Sequence, residues 1–223
     1  LNKYLNNKVP LKVIRNWPEI DFYKSYIQKK LDYPKKNKND FDIMFAGNIG
    51  EAQDVENIIN CIKLTKKFDT NIRWIFLGKG SMFDYLNSQK KKFNLNNVYI
   101  LGEKPQKLMN SYYKLSSALL ITLKSGIAFD IVVPSKFVTY LKSSKPILGM
   151  INGETNKIIK KHKIGFCCRS GDYFKLFKNI KKLKKNYSTY KKEIFYKSKT
   201  LYKASFDRES QINKIKKILD DLK

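Results

Sequence analysis

The residues of this chain with types and spacing suited to chemistry are glycines and lysines at turns. Gly47 and Gly50 close an apolar run, FDIMFAGNIG at 41–50, and Val55, Ile58, Ile59 and Ile62 follow at helical spacing. Glycines in such a turn admit backbone angles denied to other residues and let a ligand approach the main chain. A helix starting near Gln53 would present free amides, which favour an anion. VPSK at 133–136 sets a second such point: Pro134 rigidifies the approach, Ser135 can cap the helix, and Lys136 adds a charge to its first turn. Two helix N-termini converging on one anion suit a diphosphate. A Gly-x-x-Gly turn is equally the tight connection that any strand–helix unit needs, so the rest of the chain must decide.

Other residue types carry less. His162 is the only histidine and lies on a Lys-rich helix end, where an exposed or packing role is expected. Cys61, Cys167 and Cys168 are odd in number and lack a metal-ligand spacing, and strand neighbours point to opposite faces, which suggests reduced thiols of a cytosolic protein. Trp17 and Trp74 read as packing residues. No Ser/His/Asp set or metal cluster can be assembled, so neither a metal nor a cofactor is expected.

The elements that must place these turns alternate along the chain. Strands are predicted over 41–46, 72–80 with Gly78 and Gly80 at its end, 97–102, 117–123, 145–150 and 164–169. Helices are predicted from residue 53, over 81–92, after Pro105, over 135–143 and over 155–161, with KSGIAFDIVVPSK at 124–136 as a long turn. Six strands alternating with helices imply a doubly wound, mostly parallel α/β sheet, whose ligands bind outside the carboxyl ends of the strands. The remainder reads as extra C-terminal helices, with stripes at Leu176, Ile180 and Leu183 and at Phe206, Ile212, Ile215, Leu219 and Leu222. Residues 1–40 read as a loosely packed lead-in or hinge to a domain over 41–223.

At 223 residues the chain suits one domain, and no apolar run approaches the roughly 18 to 20 residues of a membrane span. It begins at Leu1 without a Met, so a piece of a longer protein is expected. The net charge of +27 raises nucleic acid or an anionic membrane as a partner. Only Arg15, Arg73, Arg169 and Arg208 among the 46 basic residues are arginines, however, whereas phosphate and base recognition favour the Arg fork. The abundant Lys, Asn, Ile and Tyr fit an AT-rich coding bias, and the Lys runs fit solvated helix faces. A basic nucleic-acid-binding domain is the weaker alternative, and no nucleic acid is expected.

F-A-G-N-I-G-x-x-Q at 45–53, I-F-L-G-K-G at 75–80, N-V-Y-I-L-G at 97–102, M-x-x-Y-Y at 109–113, V-P-S-K at 133–136 and Y-L-x-x-x-K-P-I-L at 140–148 occur in one order. That order resembles the C-terminal, nucleotide-sugar-binding, Rossmann-like half of GT-B glycosyltransferases of family 4, nearest the bacterial branch that builds capsule, O-antigen and exopolysaccharide. The likeness covers about 9–222, and R-N-W-P at 15–18 resembles the hinge after the family's N-terminal domain. It implies a retaining enzyme that moves a sugar from a nucleoside-diphosphate sugar, UDP- or GDP-linked, to a saccharide or undecaprenyl-linked acceptor without a metal. It implies cytoplasmic placement, peripheral to the inner face of the plasma membrane, and, for this chain alone, an inactive half that needs the missing N-terminal domain.

By the resemblance Gly47, Asn48, Gly50, Ser135 and Lys136 would lie on the diphosphate, and Gly102, Glu103 and Lys104 would flank the nucleobase. Thr139 takes the place of a ribose-binding Glu and Ile131 that of a second Glu, while Asn48 and Gln53 replace the family's Arg and Lys on the diphosphate. The charge then falls to Lys136, with Lys79 and Lys104 behind it. Asp130 and Glu154 are candidates for donor-sugar contacts, and any catalytic His would lie in the absent half. Loss of the Glu at 139 supports a third reading, a degenerate non-catalytic domain that serves as an interaction surface.

Overall fold

The computed structural model describes residues 12–18 and 31–221; the lead-in at 1–11 and 19–30, and Leu222 and Lys223, lie outside them. The six expected strands are β1 (Phe41–Ala46), β2 (Ile72–Leu77), β3 (Val98–Ile100), β4 (Ala118–Thr122), β5 (Ile147–Met150) and β6 (Gly165–Cys168). They form one sheet in the order β3-β2-β1-β4-β5-β6, and every recorded pairing is parallel. Parallel strands covered on both faces require near-continuous apolar runs, and every residue of β1, β2 and β4 is buried. Alternation then sorts the side chains. Met44 and Ala46 join the core under one helical layer, while Ile43 and Phe45 join the other. Cys167 and Cys168 divide between the same two cores, and all three cysteines are free and buried.

One layer contains α1 (Val55–Phe68), α2 (Phe83–Lys92) and α7 (Tyr173–Lys185), and the other α3 (Met109–Leu115), α5 (Ser135–Ser143), α6 (Gly153–His162) and α8 (Tyr187–Ser205). Each faces the sheet with an apolar stripe, as with Ile58, Ile59 and Ile62 on α1 and Phe137, Tyr140 and Leu141 on α5. The expected long turn holds a further short helix, α4 (Ile127–Ile131), with no buried residue. The last helix, α9 (Arg208–Asp220), departs from its predicted stripe: Leu219 is exposed, Ile212 and Ile215 are half-buried, and Gln211 is fully buried. Gln211 is buried because both ends of its amide are used. Its Oε1 accepts from the Arg15 backbone N–H (3.0 Å) and its Nε2 donates to the Ser205 carbonyl (3.0 Å).

Residues 31–40 are tied down rather than loose. Asp42, fully buried in β1, would carry a heavy desolvation cost unpaired. Arg73 donates to it from Nε (2.7 Å) and Nη2 (3.0 Å), and Tyr33 donates its hydroxyl (2.8 Å). Lys36 stands 3.2 Å away, so the segment packs where its side chains satisfy this carboxylate. Trp74 meets its expectation as a core residue, its indole N–H donating to Thr65 Oγ1 (2.9 Å).

Candidate functional site

Outside the carboxyl ends of the strands lies a cavity of about 1070 Å³. Its walls include Ala46, Gly47 and Asn48 after β1, Gly78 and Lys79 after β2, Glu103 and Lys104 after β3, and Ser135, Lys136 and Thr139 from α5. The close approach of these turns depends on glycine. Gly47 (φ +121°) faces the cavity, and a Cβ on Gly78 (φ +128°) would sit 2.0 Å from the Gly47 carbonyl oxygen, so the two turns touch main chain to main chain.

Tyr140 sets α5 against β1. β1 pairs with β4 at Ile43 and Met44, which leaves Ala46 beyond the ladder on that side. The Tyr140 hydroxyl fills the gap, accepting from the Ala46 N–H (2.9 Å) and donating to the Ala46 carbonyl (3.1 Å). This side-chain bridge brings the first turn of α5 to Gly47. The Lys136 Nζ lies 3.5 Å from where a Gly47 Cβ would be, and 4.2 Å from the centre of the Phe45 ring. It is buried and has no hydrogen-bond partner. Burial pushes its pKa down to about 8. An unpaired ammonium beside the free amides of a helix's first turn is an anion site with its guest's charge still to be supplied.

Several predicted residues are placed otherwise. Helix α1 starts at Val55, after a 3-10 turn (Glu51–Gln53) and a left-handed Asp54 (φ 53°), and none of its residues lines the cavity. The turn is fastened to β4 and the residues after it, where Thr122 Oγ1 donates to the Gln53 carbonyl and the Lys124 N–H to the Ala52 carbonyl. Of the two helix N-termini expected to converge, only that of α5 borders the cavity. Gly50 is buried behind the wall, and its N–H donates to Gln53 Oε1 (3.0 Å). Ser135 does not cap α5. The extended N-cap is Pro134, and Ser135 is the first helical residue. Gly102 is outside the lining, and its carbonyl accepts from the Gly78 N–H (2.8 Å). Lys104 lines the cavity but is paired with Asp32 (2.5 Å).

Asp130 and Glu154 border a second cavity of about 520 Å³, which shares Asn16 and Val138 with the first. There Glu154 accepts from Arg15 Nη2 (3.3 Å). His162 is half-buried and outside the lining of both, and burial together with Lys161 and Arg15 lowers its pKa. The sequence reading missed Asn16 and Trp17 as lining residues, and Tyr140 as the clamp. The signal for Trp17 was present, since it stands in the hinge segment beside Pro18.

Residues 27–200 match the family described as glycosyl transferases group 1. The chain belongs to that family. It is 29% identical over 130 residues to the probable glycosyltransferase WbjE of Pseudomonas aeruginosa, covering 57% of this chain and 32% of that protein. It is 26% identical over 133 residues to the putative colanic acid biosynthesis glycosyl transferase WcaI of Escherichia coli (strain K12), covering 56% and 31%. The match thus spans about a third of the length of these curated relatives. A crystal structure of a S. aureus TarM variant in complex with Fondaparinux, alpha-GlcNAc-glycerol and UDP superposes with a TM-score of 0.69 at 16% identity, over 96% of this chain and 41% of that one. As a group 1 glycosyltransferase domain it carries the Rossmann-like sheet of the GT-B fold. No helix among the described residues is long and apolar enough to cross a membrane.

Proposed function

We infer that this chain is the donor-nucleotide half of a retaining glycosyltransferase of cell-surface polysaccharide synthesis. A nucleoside-diphosphate sugar lies in the larger cavity, its diphosphate on Lys136, Gly47, Asn48 and the first amides of α5. Its base lies towards Glu103 and Lys104 and its ribose towards Thr139, with the sugar near Asp130 and Glu154 in the adjoining cavity. When the bond from the sugar to the diphosphate breaks, negative charge grows on the departing oxygen. A fixed ammonium and helix amides stabilise that charge without reorganising. The acceptor is a saccharide on a lipid at the inner face of the plasma membrane, and the other wall of the cleft is an N-terminal domain.

The observation that carries this reading is the buried, unpartnered Lys136 Nζ against Gly47. Calorimetric titration with UDP, GDP, ADP and CMP tests it. One diphosphate should bind selectively, and Lys136→Ala should weaken it about tenfold or more, the worth of a hydrogen bond to a charged group. Binding of none, or equal binding by the variant, would remove the donor site. Co-sedimentation with anionic but not neutral liposomes tests the placement at the membrane.

A second reading, a degenerate interaction domain, is favoured by Thr139, which lines the cavity where the resemblance calls for an acid. Under that reading Thr139→Glu leaves nucleotide binding unchanged.

A further inference from the structure

The geometry points to Trp17 as the residue that stacks on the nucleobase of the donor and makes binding depend on the base as well as the diphosphate. This inference rests on the donor-site reading above and adds to it a contact from outside the Rossmann-like sheet.

Four observations lead there. Trp17 lines the larger cavity with Asn16 and Pro18, and it is 36% exposed, whereas Trp74 is 1% exposed. An indole normally buries its large apolar face. Trp17 is absent from both hydrophobic cores, so packing does not account for its position. Its backbone is also held. The neighbouring Arg15 donates its N–H to Gln211 Oε1 (3.0 Å) and its Nη2 to Glu154 (3.3 Å), and its guanidinium lies 5.1 Å from the centre of the Phe206 ring. On the other side Pro18 restricts Trp17 to extended backbone. An aromatic residue at the edge of a cavity on a backbone held in this way is partly pre-organised for a flat partner, because little chain entropy is left to lose on contact.

The other lining residues decide what that partner is. Lys136, Gly47 and the α5 amides take the anionic part of the donor, and the base is its one flat, π-bearing part. Stacking suits such a role because every base offers a π-face. Trp17 therefore supplies affinity for the nucleoside without fixing which base is bound, and hydrogen-bonding groups such as Glu103 are left to do the choosing.

The chain carries its own reporter. Trp17 and Trp74 are its only tryptophans, and Trp74 is sealed in the core with its indole N–H bonded to Thr65. Tryptophan emission of the full chain is followed during titration with UDP, GDP and inorganic pyrophosphate, with calorimetry as an independent measure of binding. The expected result is quenching by the nucleoside diphosphates and little change with pyrophosphate. Trp17→Ala should weaken nucleoside diphosphate binding about tenfold or more and leave pyrophosphate affinity unchanged, and Trp17→Phe should keep most of it. Equal nucleotide affinity in Trp17→Ala and the parent chain overturns the inference while the donor site stands. So does equal loss of pyrophosphate affinity in Trp17→Ala, which would show a general distortion of the cleft. Binding of no diphosphate by the parent chain, with Lys136→Ala equally inert, overturns the donor-site reading and this inference with it.

Discussion

The two ends of the sheet each bury a charge and treat it in opposite ways. At the amino end Asp42 is surrounded: Arg73, Tyr33 and Lys36 reach its carboxylate, and Ser117 Oγ accepts its backbone N–H (3.2 Å). At the carboxyl end the Lys136 ammonium has the face of Phe45 and no hydrogen-bond partner. The titration of the two groups follows. Burial pushes the Asp42 carboxyl up, and Arg73, Lys36 and Tyr33 more than reverse it, so the group stays below the usual carboxylate range. Burial of Lys136 meets no such opposition. A charge fully satisfied within the fold contributes to stability, whereas a charge left unsatisfied costs stability and is available to a ligand.

The largest effect should come from removing the satisfied charge. Asp42→Ala leaves Arg73 buried with Asp40 as its remaining carboxylate partner, and we expect a loss of about 3–5 kcal/mol in denaturant unfolding. Lys136→Met should act in the reverse direction, raising stability at neutral pH by on the order of 1–3 kcal/mol because the burial penalty disappears. The same variant should lose nucleotide affinity. A destabilised Lys136→Met would break the comparison.

The pH dependence sharpens it. Lys136 is lowered from 10.5 to about 8, so between those values the unfolded chain binds the proton that the folded chain has released. Its contribution to stability therefore rises with pH across that window, and melting curves of Lys136→Met should show a shallower rise, the remainder coming from Lys142 and Lys145, which burial also lowers to about 8. Diphosphate binding should run the other way, weakening as pH climbs through about 8 and the ammonium is lost. Asp42 has the same sign in an acid window: its stabilisation is present above the unfolded carboxylate range and disappears as pH falls through its lowered value, but there it is the charged form that the fold favours. The smallest change expected is at Thr139. Thr139→Glu should tighten nucleotide binding a few-fold if the pocket is in use, since one added hydrogen bond to ribose contributes about 0.5–1.5 kcal/mol.

The fold was largely legible because parallel strands need apolar runs and leave them in plain view, as FDIMFA and IRWIFL do. Helix α4 was hidden for the same reason, since it buries nothing. The site was legible in part. VPSK announced a helix start with a charge, and Lys136 is where that charge was expected. The Gly50 turn was misread because its geometry is set from residues distant in sequence, with Thr122 and Lys124 holding Ala52 and Gln53 in a 3-10 turn. Tyr140 was silent for a similar reason, its hydroxyl serving a residue 94 positions away. Trp17 reads as packing because most tryptophans are buried, although its place in the R-N-W-P hinge segment beside Pro18 already sets it apart from Trp74.

The sheet ends in very short edges, β3 with three residues and β6 with four. An edge strand is a template on which a neighbouring molecule can add a strand and begin to aggregate. Edges this short offer few open backbone groups for such growth, and lysines flank the fold with like charge. A sheet bounded in this way is protected against edge-to-edge self-association, and light scattering of the chain should show no growth in particle size with concentration at low salt.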